Sequence, residues 1–328
     1  MVSKIVFLRP NKKEESIKNG QNQRVETLQA MFTDFGFSVE VVEVGRFPTL
    51  KEYKLVSNLL ASPNSALAIT SFILLPWSVT PLGIKKIKIV DMMDSLKRTR
   101  GYSKENIARW IFGQFESTIS ALFKKNHIRT YISEYDRDSD KRITPKEASA
   151  FVVPNAISVQ KLSEVSNLKR LVFVGDLNYS ENRMMVSELC MVLERSGMKL
   201  HIYGSDNSGM QDKFPNHVFH GTRDDAELYQ PGDLHLAPIR NKHGLSSKVF
   251  NAIANGSPVL TTENGVNGIK ECHGIFVENE IEIWPEVVAR IFLRSQKSPL
   301  KVEWKAFDCD QREQLRLALN ELLTTKQD

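Results

Sequence analysis

The segment GLSSKVFNAIANGSPVLTTENGVNG, residues 244–268, predicts a short helix that leads directly into a buried strand. Gly244 frees the backbone before Ser246 and Ser247, which are good N-cap residues, and a compact apolar run follows until a glycine ends the helix. The unpaired N–H groups and the positive dipole at such a helix start attract an anion. Lys248 lies in the first turn, where a cation is normally unfavourable, so its position indicates that a bound phosphate neutralises it. The alternative is a capped, buried helix with a solvent-facing lysine.

Length and composition indicate a globular protein of about two domains. Of the 328 residues, 41% are apolar and 25% are charged, and no apolar run is long enough to span a bilayer. Residues 1–10 lack the length and the cleavage site of a signal peptide and predict a buried strand. Cys190, Cys272 and Cys309 are odd in number and lack metal-ligand spacing, so they indicate reduced thiols and a cytoplasmic protein.

The net charge is +5, and part of the excess forms a basic patch in the sequence. Its members are Lys85, Lys86, Lys88, Lys97, Arg98, Arg100 and Lys104. Such a patch is a candidate for peripheral contact with anionic lipid at the cytoplasmic face of a membrane, or with an anionic substrate. The alternative is a solvated face. Nucleic acid is disfavoured as a partner because the chain has no basic stripe interleaved with aromatic residues and no nucleic-acid module.

Short apolar runs alternate with helical patterns along the chain, which is typical of parallel sheets covered by helices. An amino-terminal domain, residues 1–160, contains predicted strands at 4–8, 38–44, 66–69, 87–90, 130–133 and 151–157. A carboxy-terminal domain, residues 161–305, contains predicted strands at 171–175, 199–204, 217–221, 233–238 and 257–262, with a helix from about residue 182. Residues 306–328 are predicted as an amphipathic helix that packs back on the domains, because its leucines form one stripe.

Four runs in the second half carry a family resemblance. They are LVFVGDLNYSEN (171–182), LHIYGSD (200–206), HVFHGTRDDAELYQPGDLHLAPIR (217–240) and GLSSKVFNAIANGSPVLTTENGVNGI (244–269). In this order they resemble the carboxy-terminal half of the retaining glycosyltransferases of family four, the group 1 glycosyltransferases. VDMMDSLKRTRGY (90–102) and VVPNAI (152–157) resemble, less closely, the acceptor domain of the same family. The resemblance implies the GT-B fold, in which two Rossmann-like doubly wound domains face each other across a cleft.

The resemblance also implies an activity, the transfer of a sugar from a nucleotide-diphosphate sugar to a glycan or lipid-linked acceptor without a cofactor. It places Gly175 in the loop that faces the donor phosphates, Lys248 on the diphosphate, and Tyr203 and Gly204 in a turn bordering the base. A lysine and a helix amino end can stabilise the departing diphosphate in place of a metal. The other donor-side candidates are Asn178, Arg183, His243, Gly244, Leu245, Ser246, Ser247 and Asn251. For Arg183, a second cation at the site, the alternative is a helix-surface arginine.

Two positions depart from the family pattern. Members commonly carry two glutamates eight positions apart, the first near the donor sugar and the second on the ribose hydroxyls, but here those positions hold His243 and Asn251. Asn251 can still hydrogen-bond a diol, so altered donor handling is the favoured interpretation, and a chain that no longer catalyses is the alternative. His243 is a catalytic candidate for acid/base work, or else a loop histidine satisfied by water or backbone.

Acceptor-side candidates come from the first half. Asp91 and Asp94 follow the predicted strand 87–90, so they lie at a carboxyl end, where open α/β sheets bind ligands. The resemblance implies that Asp94, the second catalytic candidate, orients an acceptor hydroxyl; the alternative is an N-cap of the next helix. NGQNQR, residues 19–24, resembles the glycine-containing first loop of the family and its arginine. The remaining acceptor-side candidates are Gly20, Arg24 and Arg98.

Residues 136–147 partly match the pattern of a calcium-binding loop. Lys141 stands where the sharp turn needs glycine, and two clear helices do not flank the segment, so we expect a charged surface loop and no metal site.

Three function classes fit the sequence. A retaining glycosyltransferase leads, followed by a non-catalytic GT-B partner subunit that has lost the glutamates, and then by a nucleotide-sugar epimerase. A dinucleotide dehydrogenase is disfavoured because no G-x-G-x-x-G follows an early strand.

Overall fold

The structure is a computed structural model and divides into two compact units. It describes residues 4–11, 20–62, 64–69, 74–92, 104–122, 127–140, 149–153, 163–240, 246–267, 269, 272–304 and 309–324. One unit comprises residues 1–157 together with 308–328, and the other comprises residues 158–307. The sequence placed the first boundary at residue 160 and left the carboxy-terminal helix outside both domains.

The amino-terminal unit is built on a parallel sheet of order β2-β1-β3-β4-β5-β6. Its strands are β1 (Lys4–Pro10), β2 (Ser38–Val44), β3 (Ser65–Ile69), β4 (Ile87–Met92), β5 (His127–Tyr131) and β6 (Ser149–Val152). Its helices are α1 (Gly20–Asp34), α2 (Leu50–Leu59), α3 (Leu75–Ser78), α4 (Pro81–Lys85), α5 (Lys104–Leu122), α6 (Glu134–Asp140) and α12 (Cys309–Thr324).

Both faces of this sheet are buried, as expected when helices cover both sides of a parallel sheet. Ile5 and Phe7 of β1 face one apolar cluster, whereas Val6 and Leu8 face the other. Leu315 and Leu319 of α12 are buried in the first cluster. The terminal helix therefore contributes to the core of the amino-terminal unit, although it is the last element of the chain.

The carboxy-terminal unit has a parallel sheet of order β10-β9-β8-β11-β12-β14 and a small antiparallel sheet of order β13-β15-β7. Its strands are β7 (Ser163–Val165), β8 (Arg170–Val174), β9 (Leu200–Tyr203), β10 (Val218–Gly221), β11 (Asp233–Ala237), β12 (Val259–Thr261), β13 (Cys272–His273), β14 (Ile275–Val277) and β15 (Leu300–Trp304). Its helices are α7 (Ser180–Glu194), α8 (Met210–Lys213), α9 (Asp225–Leu228), α10 (Ser247–Ala254) and α11 (Trp284–Lys297). The expectation of two Rossmann-like α/β domains is confirmed.

Two local expectations for the amino-terminal unit were wrong. The strand expected at residues 130–133 ends at Tyr131, because the hydroxyl of Ser133 instead accepts a hydrogen bond from the Asp136 backbone N–H at 3.1 Å and starts α6. The charged surface loop expected from residue 136 begins as that helix, in which Asp136 and Asp140 are buried. Among the described helices, none combines the length and the apolar composition that crossing a bilayer requires.

Candidate functional site

The order of the carboxy-terminal sheet creates a crevice between the carboxyl ends of β8 and β11. From β8 the chain continues through α7 to β9 on one side, and from β11 it continues through α10 to β12 on the other. Because parallel crossovers are right-handed, these two connections lie on opposite faces of the sheet. Open α/β sheets bind ligands at such a switch point. The loop after β8 and the start of α10 meet there.

Lys248 lies in the first turn of α10. Ser246 is the N-cap, with extended backbone angles, and within the described residues its side chain makes no capping hydrogen bond. The Lys248 Nζ lies 5.8 Å from the centroid of the Phe173 ring. Burial lowers the pKa of Lys248 from 10.5 to about 8, and the charge of Glu181 partly opposes this. A half-buried ammonium beside an uncapped helix start is an arrangement that an anionic ligand would stabilise.

Two glycines bring the loops after β8 and β9 against this lysine. A Cβ on Gly175 would lie 3.1 Å from Lys248 Cε and 3.0 Å from Phe173 Cε1. Gly204 has a φ of +141°, and a Cβ there would lie 2.0 Å from the Gly175 carbonyl oxygen. The two loops therefore touch backbone to backbone at Gly204, where a side chain would force them apart, whereas a side chain at Gly175 would press on Lys248 and Phe173.

Side chains of the β8 loop tie it to the β9 loop. Asp176 Oδ1 accepts hydrogen bonds from Asn178 N at 3.0 Å, Asn178 Nδ2 at 2.8 Å and Ser205 Oγ at 2.7 Å. Arg183 Nη1 donates to the backbone oxygens of Leu177 at 2.9 Å and Asn178 at 2.7 Å. Asn178 and Arg183 thus hold the loop in place, and their contact with a donor stays a prediction. The sequence analysis missed Asp176, although its Asp-x-Asn spacing is a turn signal.

Tyr203 is engaged inside the unit. Its ring stacks on His220, with centroids 4.3 Å apart, and its hydroxyl accepts a hydrogen bond from Arg170 Nη1 at 3.2 Å. Arg170 is itself held by both carboxylate oxygens of Asp233 at 2.7 Å. The side chain of Tyr203 therefore orders the sheet, and a role beside the base stays a prediction.

The other donor-side candidates divide into two groups. Ser246 is buried, Ser247 is exposed in the first turn of α10, and Asn251 is half-buried one turn later. Ser247 and Asn251 are four residues apart and so share one side of the helix. His243, Gly244 and Leu245 lie outside the described residues, so the replacement of the first glutamate stays untested.

The acceptor-side arginine lies in a helix and not in the expected loop. Gly20 begins α1, and Arg24 is fully buried within that helix. Arg24 Nη2 lies 2.6 Å from Asp91 Oδ1, which also accepts a hydrogen bond from Thr130 Oγ1 at 2.7 Å. Arg24 Nη1 donates to the Val153 backbone oxygen. The pair links α1, β4 and β5, so it has a structural role, while an acceptor role stays a prediction. Asp94 and Arg98 lie outside the described residues.

Two members of the basic patch are not free surface charges. Lys88 is buried, with its Nζ 3.2 Å from Glu116 Oε1. Burial lowers the pKa of Lys88, and the Glu116 carboxylate opposes that shift. Lys86 Nζ donates to the Ser62 backbone oxygen at 2.7 Å. Lys88 is buried and not on the surface because it lies inside β4, with its side chain against the helices that cover the sheet. The side chains of Lys85, Lys97, Arg98, Arg100 and Lys104 lie outside the described residues.

Comparison with known protein families gives a match within the carboxy-terminal unit. Residues 168–292 match the family described as Glycosyl transferases group 1. The resemblance that the sequence indicated is thus confirmed. No curated protein sequence matches the chain significantly.

Solved structures show the same fold over nearly the whole chain. HepE from Anabaena, in complex with UDP and glucose, is 12% identical, with 98% of each chain covered and a TM-score of 0.57. A glycosyltransferase from Rickettsia africae is 9% identical, covering 99% of this chain and 96% of its own, with a TM-score of 0.58. WaaG, a glycosyltransferase involved in lipopolysaccharide biosynthesis, is 14% identical, covering 100% and 96%, with a TM-score of 0.51. The chain has the GT-B fold.

Proposed function

We propose that the protein is a glycosyltransferase that transfers a sugar from a nucleotide-diphosphate donor to a glycan or lipid-linked acceptor, with retention of configuration and without a metal. The family match of the carboxy-terminal unit is the premise. HepE, of similar fold, is described in complex with UDP-glucose, which supports a donor of the same class here. The proposal places the protein in the cytoplasm, in polysaccharide or glycan biosynthesis.

The observation that carries this proposal is the position of Lys248 against Gly175 at the switch point. Diphosphate is the leaving group of the reaction, and its negative charge grows as the bond to the sugar breaks. A lysine and an uncapped helix start, both in place before the reaction, stabilise that charge without reorganisation. Because Gly175 has no side chain, the backbone of the β8 loop can lie directly against the lysine.

The replacements at positions 243 and 251 support a second candidate, a non-catalytic GT-B partner subunit. Such a subunit would keep the Lys248 site and still bind a nucleotide, but would not turn over a donor. A nucleotide-sugar epimerase, the third candidate, would isomerise the donor with no acceptor present. Turnover therefore separates the three functions more sharply than binding does.

The test is a screen of the purified protein against UDP-, GDP-, dTDP- and CMP-linked sugars. Thermal stabilisation is measured first, and then release of free sugar or of an isomerised nucleotide sugar. Stabilisation by one donor with slow release of its sugar supports the transferase and names the base. Stabilisation without any conversion supports the partner subunit, and no response to any donor contradicts the proposed site.

We also propose peripheral contact with an anionic membrane, where a lipid-linked acceptor would lie. Lys86 and Lys88 bond within the protein, so the membrane contact is supported instead by an apolar face of the amino-terminal unit. On α5, exposed apolar residues recur every four positions, and Phe47 contacts this helix through Phe112, with ring centroids 6.4 Å apart. The exposed apolar residues at this contact are Phe47, Ile107, Ile111 and Phe115. Helix α2, which follows Phe47, exposes Leu50, Lys51, Lys54 and Leu55. Apolar and basic side chains together suit the interface of an anionic bilayer.

Vesicle flotation tests this contact. We expect binding to phosphatidylglycerol-containing vesicles that weakens with salt, and little binding to pure phosphatidylcholine. The double variant Ile111→Ser/Phe115→Ser should lose most of it. The matched control is Met184→Ser/Met191→Ser, which removes two exposed apolar residues from α7 of the other unit. Equal loss in both variants, or no binding by the wild-type protein, would contradict the contact.

A further inference from the structure

Asp176 is a carboxylate at the switch point that bonds to the described residues through only one of its two oxygens. It follows Gly175 directly, and its backbone oxygen accepts a hydrogen bond from Asn182 Nδ2 at 2.7 Å. All three side-chain hydrogen bonds, from Asn178 and Ser205, go to Oδ1. Within the part of the chain that the structure describes, Oδ2 accepts no hydrogen bond. Tying the two loops together therefore uses only half of this carboxylate.

We propose that Asp176 recognises hydroxyl groups of the donor through Oδ2. This inference rests on the proposed function, because it needs a nucleotide-diphosphate sugar beside Lys248. Besides Glu181, whose charge acts on Lys248, it gives a second carboxylate to a site whose two family glutamate positions hold His243 and Asn251. The carboxylate is thus supplied by the loop after β8 and not by α10.

The chemistry of a carboxylate selects hydroxyl groups over the other parts of the donor. An ionised carboxylate only accepts hydrogen bonds, so it cannot bind phosphate oxygens, which have no protons to donate at neutral pH. The two groups bonded directly to the diphosphate are the ribose and the transferred sugar, and both carry hydroxyl donors. Asp176 directly follows Gly175, which lies against Lys248, so with the diphosphate on Lys248 we expect one of these two groups to be within its reach.

Fixing the carboxylate in advance makes it selective. Three donors on Oδ1 and the bond to the backbone oxygen hold Asp176 in one orientation, so binding a hydroxyl costs little further ordering. A hydrogen bond to a charged group contributes more than one between neutral groups. A ligand that lacks the hydroxyl leaves the carboxylate without its partner, so the site should discriminate strongly against it.

The experiment is calorimetric binding of UDP, 2′-deoxy-UDP and UDP-glucose in EDTA to the wild-type protein and to Asp176→Asn, with GDP counterparts if the donor screen selects guanine. Asparagine keeps an oxygen for the loop hydrogen bonds but replaces one carboxylate oxygen with a donor. If Asp176 binds the ribose, the variant weakens UDP about 10- to 100-fold and loses the preference for UDP over 2′-deoxy-UDP. If it binds the sugar, UDP affinity is unchanged and UDP-glucose weakens by that factor.

Two controls separate recognition from loop structure. Asp206→Asn makes the same charge change in the β9 loop, where both carboxylate oxygens are already bonded to the protein, and should change affinity less than about threefold. Ser205→Ala removes one donor from Oδ1 and leaves Oδ2 intact. If Ser205→Ala weakens binding as much as Asp176→Asn, then Asp176 acts only by ordering the loop and the proposal is overturned.

The remaining outcomes also decide between the two proposals. If folded Asp176→Asn binds UDP and UDP-glucose within about twofold of wild type, Asp176 recognises no hydroxyl, and the proposed function stands without it. If wild-type binding requires Mg²⁺ and that requirement disappears in Asp176→Asn, the free oxygen holds a cation and the hydroxyl proposal is overturned. If the wild-type protein binds none of the nucleotides, the proposed function itself fails, and this inference fails with it.

Discussion

Replacing Lys248 with methionine should stabilise the free protein and weaken nucleotide binding, two effects of opposite sign from one side chain. The shift of its pKa from 10.5 to about 8 corresponds to about 3 kcal/mol that disfavours the ammonium in the folded state. The contact between the Phe173 ring and the ammonium offsets about 0.5–2 kcal/mol of this cost. Methionine has a similar length and no charge, so Lys248→Met should raise the free energy of unfolding of the carboxy-terminal unit by about 1–3 kcal/mol at pH 7.

The pH dependence of stability tests whether Lys248 destabilises the folded state. Between pH 8 and 10.5 the unfolded chain holds a proton on Lys248 that the native state has released, so wild-type stability rises with pH across this window. Below pH 8 Lys248 is protonated in both the folded and the unfolded state, so the folded state carries the full free-energy cost of burying the ammonium. The advantage of Lys248→Met should therefore be greatest below pH 8 and vanish near pH 10.5. Diphosphate binds the protonated form, so wild-type affinity should fall as pH rises above 8.

The assays are thermal unfolding without ligand and calorimetric titration with UDP at pH 7 and pH 9. For a unit of this size each kcal/mol shifts the melting temperature by about 2–4 °C, and loss of a charged hydrogen bond to phosphate should weaken UDP about 10- to 100-fold. Lys213→Met is the matched control, since Lys213 is exposed and its Nζ lies 5.2 Å from the Phe214 ring centroid. A Lys248→Met protein that is destabilised, or that binds UDP as tightly as wild type, would refute the reasoning.

Three further changes test other parts of the structure. Gly204→Ala should destabilise the carboxy-terminal unit by about 3 kcal/mol or more, because its Cβ would lie 2.0 Å from the Gly175 oxygen. A melting temperature within about 2 °C of wild type corresponds to about 1 kcal/mol or less and would contradict that contact. Asp91→Asn should cost about 3–5 kcal/mol in urea unfolding of the amino-terminal unit, since it removes the carboxylate charge paired with the buried Arg24 guanidinium. A near-neutral result would argue against the ion pair. Burial lowers the pKa of His235 to about 4, so stability should fall by about 1.4 kcal/mol per pH unit from pH 6.5 down to 4 as the unfolded chain takes up the proton. His235→Phe should flatten that pH profile, and an unchanged profile would assign the acid sensitivity elsewhere.

Much of the site was predictable because its signals are local in sequence. The N-cap serines, the lysine two residues later and the compact apolar run identify α10 without any tertiary contact. The family resemblance placed Gly175 in the loop that faces the donor phosphates, and in the structure that glycine lies against Lys248. The sequence did not identify Asp176, because its proposed role depends on which carboxylate oxygen accepts the hydrogen bond from Ser205. Ser205 lies 29 residues away in the sequence.

Three charged side chains of the amino-terminal unit are buried for one physical reason. The sequence placed Lys88 in a basic patch, and it placed Arg24 and Asp91 on the acceptor side from a loop resemblance and a strand end. In the structure Lys88 pairs with Glu116, and Arg24 pairs with Asp91, which lies 67 residues away in the sequence. A charge is buried only when its partner arrives with it, and the partner is set by the order of the strands, which periodicity does not reveal.

The sequence by itself determined the two α/β units, most strand positions, the family resemblance and the lysine at the start of α10, because periodicity, capping and glycine placement act over a few residues. Only the tertiary structure decided that α12 completes the core of the amino-terminal unit and that Lys248 packs against Phe173 and Gly175. It alone showed that, among the described residues, all hydrogen bonds to the Asp176 carboxylate go to Oδ1. These outcomes depend on strand order and on contacts between distant segments, and burial in that setting is what lowers the pKa of Lys248.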